Sequence, residues 1–203
     1  AGQSDGAGRS PPDKTMTLYL TPKSGDTRQI LARILASHTG CTDFRIQTAP
    51  GGKPFAVSET YPSPLFFSLS HSGGILALLI HTHPVGVDLQ AHTKTRTELL
   101  ARRWFHPSEY AVFQTGGCRD ADFFTLWAAK EAYAKYTGMG VARTARRCSV
   151  LTASESIYTY ACMDGYSLCC CAAVSDTLSL CADPAIVPLS SASPVSIRDA
   201  IYK

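Results

Sequence analysis

Apolar and polar positions alternate in MTLYL from Met16, which predicts a short strand, and Lys23 to Asp26 then make a turn. From Arg28 to Ser37, RQILARILAS, the spacing changes: Ile30, Leu31, Ile34 and Leu35 share one helical face, Arg28 and Arg33 flank it, and Gly40 ends it. Phe44 to Gln47 is a strand candidate, and PGGKP at 50–54 is a turn presenting Lys53. Leu65 to Ile80, LFFSLSHSGGILALLI, reads as two strands in a hairpin whose tip carries Ser70, His71 and Ser72. In VGVDLQ at 85–90 the polar Asp88 and Gln90, at i and i+2, face the same side of a strand. Glu98 to Phe105 is a basic helical segment, and Pro107 sits in the first turn of the next helix.

The longest helical pattern runs from Asp122 to Gly140, DFFTLWAAKEAYAKYTGMG, with Asp120 or Asp122 as cap and Gly138 as stop. At 100° per residue Trp127, Glu131 and Lys135 form one stripe, and Lys130 lies one step round from Glu131. Strands are predicted at Ser156–Met163, Tyr166–Val174 and Leu178–Ala182. A Pro/Ser-rich stretch from Pro184 follows, with a short amphipathic end at Ile197–Tyr202.

With 203 residues, 45% hydrophobic and 17% charged, the chain suits one α+β domain or two small lobes with a shared interface. A net charge of +3 without a Lys/Arg run argues against a broad nucleic-acid footprint, while leaving room for a local anion site. No apolar stretch reaches about 18 residues and no basic leader opens the chain, so neither a membrane span nor a signal peptide is expected, and the expected location is cytoplasmic. Residues 1–15, rich in Gly, Ser, Pro and Ala, read as a flexible tail or leftover expression residues. The eight cysteines contain no CxxC, and Cys169, Cys170 and Cys171 alternate between strand faces, so they read as small buried hydrophobes rather than metal ligands. His81-Thr82-His83 lacks a third ligand nearby and is also read as structural.

Four features carry possible chemistry. Asp88 is costly to bury in a strand unless a cation or a donor network stands opposite it. On the helix alone, Glu131 and Lys135 are an ordinary surface pair worth about 0.2–0.5 kcal/mol. Ser70, His71 and Ser72 with free glycine N–H groups could cradle a phosphate, or serve only the geometry of a turn. The exposed-looking arginines Arg102, Arg103, Arg143, Arg146 and Arg147 could attract an acidic partner or simply be solvated.

GKP at 52–54, SLSHSGG at 68–74, VGVDLQ at 85–90, WFHPSEY at 104–110 and LWAAKEAYAKYTGMG at 126–140 come in the order and spacing of a known family. Over about residues 28–174 the chain resembles the 4'-phosphopantetheinyl transferases of the surfactin-synthetase-activating type. The resemblance implies a pseudo-twofold arrangement of two similar α+β lobes, here residues 16–84 and 85–203, with a ligand cleft between them. It further implies magnesium-dependent transfer of the phosphopantetheine arm of coenzyme A to a serine of an acyl or peptidyl carrier protein, by a monomer. Asp88, Gln90 and Glu131 match the metal positions, Glu131 being also the candidate base, and Lys135 matches the lysine at the leaving pyrophosphate oxygens. Ser70 and His71 match the clasp on the 3'-phosphate, and Arg28, Lys53 and Lys130 match further coenzyme A positions.

Two departures bear on activity. Gln90 stands where the family usually has a second carboxylate, and its neutral carbonyl oxygen brings less charge to a metal. The first helix also comes sooner than in longer members. These motivate an alternative, a catalytically impaired homologue that binds coenzyme A or a carrier.

Overall fold

In a computed structural model, which describes residues 15–160, 164–173, 176–182 and 194–201, the alternating segment at Met16 is β1 (Thr15–Pro22), with Met16, Leu18 and Leu20 buried. The helix after it is α1 (Thr27–Thr39), started by the Asp26 carboxylate, which accepts from Arg28 N–H. β2 (Arg45–Thr48), β3 (Pro54–Val57), β4 (Leu65–Ser72) and β5 (Ile75–His81) follow as an antiparallel run. Then come β6 (Gly86–Ala91), α2 (Thr97–Trp104), α3 (Pro107–Thr115), α4 (Asp120–Thr137) and α5 (Val141–Thr144). The chain closes with β7 (Ser156–Tyr160), β8 (Tyr166–Ala172), β9 (Thr177–Ala182), β10 (Pro194–Ser196) and α6 (Ile197–Ile201).

The strands form two sheets, one of order β2-β3-β4-β5-β1-β9 and one of order β10-β7-β8-β6. Burial patterns stack them as layers. Leu76, Leu78 and Ile80 of β5 point to Ile30, Ile34 and Leu35 of α1. Ala77 and Leu79 point the other way, with Met16, Leu18 and Leu20, onto Val87, Leu89, Leu168 and Cys170 of the second sheet. The far face of that sheet, with Cys169 and Cys171, packs on Phe124, Ala128 and Ala132 of α4. Both sheets are therefore covered on two faces, which explains the nearly unbroken apolar run of β5. The cysteines of β8 alternate between the two cores as the strand period requires, and all three are free.

Several expectations need correction. The hairpin turn is Gly73-Gly74, both at positive φ (54° and 81°), because Ser72 pairs with Ile75; Ser70 lies inside the ladder opposite Ala77 rather than at the tip. No aspartate side chain caps α4. Arg119 is its N-cap residue, and Asp122 instead takes a forked hydrogen bond from the Arg119 guanidinium. The division into residues 16–84 and 85–203 does not follow the sheets, since β9 runs parallel to β1 in the first sheet, where Leu178 and Leu180 join the intersheet core. Thr15, taken as part of a tail, already belongs to β1. Residues 1–14, the ends of two strand predictions at 161–163 and 174, most of the Pro/Ser-rich stretch and Tyr202 lie outside the described residues.

No helix among the described residues is long and apolar enough to cross a membrane.

Candidate active site

The two sheets meet along β4 and β6, the latter being the free edge of its sheet. A strand edge exposes unpaired N–H groups, and β4 answers them with side chains. Val87 N–H donates to Ser68 Oγ at 2.9 Å and Ala91 N–H to Ser72 Oγ at 2.9 Å. Between them Ser70 Oγ donates to Asp88 Oδ1 at 2.8 Å. The hydroxyls at 68, 70 and 72 share one face of β4, so the polar period inside LFFSLSHS is the seam between the sheets. The hairpin end is also tied down, for Tyr166 O–H donates to the Gly73 carbonyl at 2.8 Å.

Asp88 is the centre of this seam. It is buried, yet both of its oxygens are served: Lys135 Nζ at 2.7 Å and Ser70 on Oδ1, Gln90 Nε2 at 2.7 Å on Oδ2. The donor network that a buried strand carboxylate demands is thus supplied from β4, β6 and α4. Lys135 also donates to the Val87 carbonyl at 3.0 Å and, at a long 3.4 Å, to that of Leu69. It pairs with Asp88 and not with Glu131, so the surface ion pair expected from the helix alone does not form. Glu131 stands one turn back on α4, half-buried. Its carboxyl is pushed above the usual glutamate value, first by burial and then by the Asp88 charge, with Lys135 partly offsetting both.

Gly86 explains how α4 comes so close. A methyl group there would fall 2.0 Å from the Ala132 carbonyl oxygen, so β6 and α4 touch backbone to backbone. A cavity of about 350 Å³ opens beside this contact, lined by Lys53, Phe67, Ser68, Glu131, Lys135 and Gly138 among others. His71, exposed, lies on the same face of β4 as Phe67 and Leu69. At the other end of the α4 stripe Trp127 and Gln90 line a second, aromatic cavity of about 240 Å³.

Three residues stand apart from the expected ligand set. Lys130 is buried in the helical core, where its ammonium meets Glu109 Oε2 at 2.7 Å, Glu109 Oε1 at 2.9 Å and the Cys148 carbonyl at 3.0 Å. One step round from Glu131 is about 100° of rotation, enough to turn Lys130 from the cleft into the helical core, so Lys130 is corrected from a cofactor contact to half of a buried ion pair. Glu109, which also accepts from the N–H groups of His106 and Val150, carried only the weak signal of a helix-start glutamate. Arg28, exposed on α1, lines a separate cavity with Leu31, Leu35, Phe44 and Ile46 and is not brought to the cluster. Lys53 does reach the main cavity, but its ammonium donates to the carbonyls of Val85, of Lys135 at 3.0 Å and of Tyr136 at 3.1 Å. Burial pushes its pKa down to about 8. Arg102, Arg103, Arg143, Arg146 and Arg147 are all exposed.

Among the described residues no three His, Cys, Asp or Glu side chains cluster as a preformed metal cage. Asp88 and Glu131 instead lie close enough for their charges to interact, and Gln90, whose Nε2 donates to Asp88, carries an amide oxygen next to this pair. Burial and, after it, the Asp88 charge hold the Glu131 carboxyl above its usual value, and a divalent cation would relieve both; hard carboxylate oxygens suit magnesium completed by water or phosphate oxygens.

A family model described as the 4'-phosphopantetheinyl transferase superfamily matches residues 84–186. The chain is 34% identical over 140 residues to the 4'-phosphopantetheinyl transferase HetI of Nostoc sp., covering 67% of this chain and 58% of that protein. It is 28% identical over 174 residues to a 4'-phosphopantetheinyl transferase of Bacillus subtilis, covering 77% of each. With the 4'-phosphopantetheinyl transferase Sfp of Bacillus subtilis strain 168 it shares 30% identity over 154 residues, 66% of each chain. The chain therefore spans just under three fifths of HetI and about three quarters of the first Bacillus protein. The matched stretch holds β6, α4 and the carboxylates they bring together, and takes in just over half of the 203 residues: the chain belongs to the 4'-phosphopantetheinyl transferase superfamily.

Proposed function

We propose that the protein transfers the 4'-phosphopantetheine arm of coenzyme A to a serine of an apo acyl or peptidyl carrier protein, with magnesium required. One observation supports this reading: Glu131 and Lys135 of α4 line a cleft where the two sheets meet, and Lys135 pairs there with the buried Asp88, whose other oxygen accepts from Gln90. In the reaction the serine oxygen bonds to the β-phosphorus, the bond from that phosphorus to the bridging oxygen breaks, and adenosine 3',5'-bisphosphate leaves. Glu131 takes the serine proton, directly or through water, and its raised pKa brings it closer to the pH at which a general base works best. Lys135, partly exposed and with one long hydrogen bond to exchange, places its charge at the leaving oxygens.

Asp88, Glu131 and Gln90 would hold magnesium, which supplies charge neutralisation at the pyrophosphate. His71, exposed on the face of β4 that brings Phe67 and Leu69 to the cleft, marks the end where the nucleotide and its 3'-phosphate would lie. The exposed arginines of α2 and of the segment after α4 suit an acidic carrier surface. Both walls of the cleft come from one chain, so a monomer suffices.

The test is mass spectrometry of apo-carriers from several pathways incubated with coenzyme A. The carrier should gain the mass of the arm, EDTA should stop the gain, and Glu131→Ala should slow it by about 10²–10⁴. Coenzyme A binding by calorimetry with no transfer at any magnesium concentration would favour the impaired homologue, for which the missing second carboxylate at Gln90 is the motive.

A further inference from the structure

We infer that Lys53 is a positioning residue for this site: its ammonium buckles the Gly51–Pro54 turn of the first sheet onto the end of α4 and so sets where Lys135 and Glu131 stand in the cleft. The inference rests on the function proposed above, and it gives Lys53 a different task from the phosphate contact that the family resemblance implies.

An ammonium group has three N–H donors. Those of Lys53 are all taken by main-chain carbonyls, of Val85 just before β6 and of Lys135 and Tyr136 in the last turn of α4. The last carbonyls of a helix lack internal partners and carry partial negative charge, so they offset part of the cost of burying a cation there. Lys53 also lies over the Tyr136 ring, 5.7 Å from its centroid, which adds a further contact with the same turn.

What makes this arrangement consequential is where the three elements lead. Val85 immediately precedes the strand that carries Asp88, and Lys135, held by its carbonyl from Lys53, holds Asp88 with its side chain at 2.7 Å. One lysine therefore fixes the main chain whose other lysine fixes the central carboxylate. Without Lys53 the end of α4 would keep Gly138 as its stop and the long Lys135–Leu69 contact, but lose the hydrogen bonds that hold its main chain to the Gly51–Pro54 turn.

The decisive variant is Lys53→Met, which retains the apolar stem and removes the donors. In ligand-free protein, amide hydrogen exchange of segments 134–141 and 85–88 should speed up by about tenfold or more, the loss of charged hydrogen bonds being concentrated there. Affinity for adenosine 3',5'-bisphosphate, measured by calorimetry, should stay within about threefold, while kcat of transfer falls by roughly tenfold to a hundredfold through misplacement. Unchanged exchange overturns the inference, and so does a drop of about tenfold or more in nucleotide affinity without faster exchange, which would mark Lys53 as a phosphate ligand. Should the methionine variant not fold, Lys53→Arg gives the same reading, since a guanidinium cannot converge on the three carbonyls as an ammonium does. If the wild-type protein transferred no arm to any carrier, the proposed function would fall while the exchange experiment still judged the buckle.

Discussion

Replacing Gly86 by alanine tests how closely the strand and helix that carry the site are set. The new methyl carbon would lie 2.0 Å from the Ala132 carbonyl oxygen and 2.6 Å from the Tyr136 nitrogen, two main-chain atoms of one turn of α4. Neither can rotate away. Ordinary contact begins at 3.4 Å, so α4 and β6 must part by about 3.4 − 2.0 = 1.4 Å at this point. The Lys135–Asp88 contact of 2.7 Å bridges the same two elements and would stretch toward ~4 Å if side chains did not follow. Overpacking of this kind costs about 1–3 kcal/mol, and a displacement near 1 Å at a reacting centre lowers turnover by about a hundredfold. Urea unfolding followed by circular dichroism reads the first quantity, and transfer to an apo-carrier reads the second. An unfolding free energy within about 0.5 kcal/mol of wild type, with a rate within about twofold, would refute the reasoning, because backbone contact could then not be what holds the two elements in place.

Further expectations concern charge. Lys130→Met leaves Glu109 buried without its cation and should cost about 3–5 kcal/mol in urea unfolding, whereas Glu109→Gln with Lys130→Met should recover much of that loss; equal instability of single and double variants would contradict the ion-pair account. Lys53 has its pKa lowered by burial to about 8 from 10.5. Between these values the unfolded chain binds the extra proton, so wild-type stability should rise with pH relative to Lys53→Met from about 8 to about 10.5; parallel stability curves would show that burial does not perturb this group. Gln90→Glu replaces the hydrogen bond to Asp88 Oδ2 by like-charge repulsion. The melting temperature should therefore drop in EDTA and recover in magnesium more than wild type does, and an identical response to magnesium in both proteins would argue against a cation at Asp88.

The local elements were readable because each obeys one dominant rule. The helix from Arg28 has its face and its glycine stop, α4 has its propensity and Gly138, and Asp88 announced a donor network by being a carboxylate in an apolar strand. Less readable was anything that depends on which elements meet. Ser68, Ser70 and Ser72 look like turn residues until β6 lies beside them with unpaired N–H groups. Lys53 and Lys130 both sit in short motifs that resemblance connects to coenzyme A. Only packing reveals that one spends its donors on carbonyls and the other faces Glu109 in the core. β3, four residues beginning with proline, is too short to show a period, and β9 shows its strand pattern but not its destination.

That destination bears on how the molecule can be assembled. β9 pairs with β1 in parallel, and Thr15 meets Thr177 across 162 residues of sequence. Closing so large a loop is slow, and it cannot occur during synthesis until residues 177–182 have been made. Until then β1 is an open edge, with Met16, Leu18 and Leu20 lacking part of the cover they have in the finished fold, and such edges invite pairing with other chains. The first sheet therefore cannot be completed until its last strand is made, and a chain that stops before residue 177 leaves β1 with β5 on one side and no strand on the other.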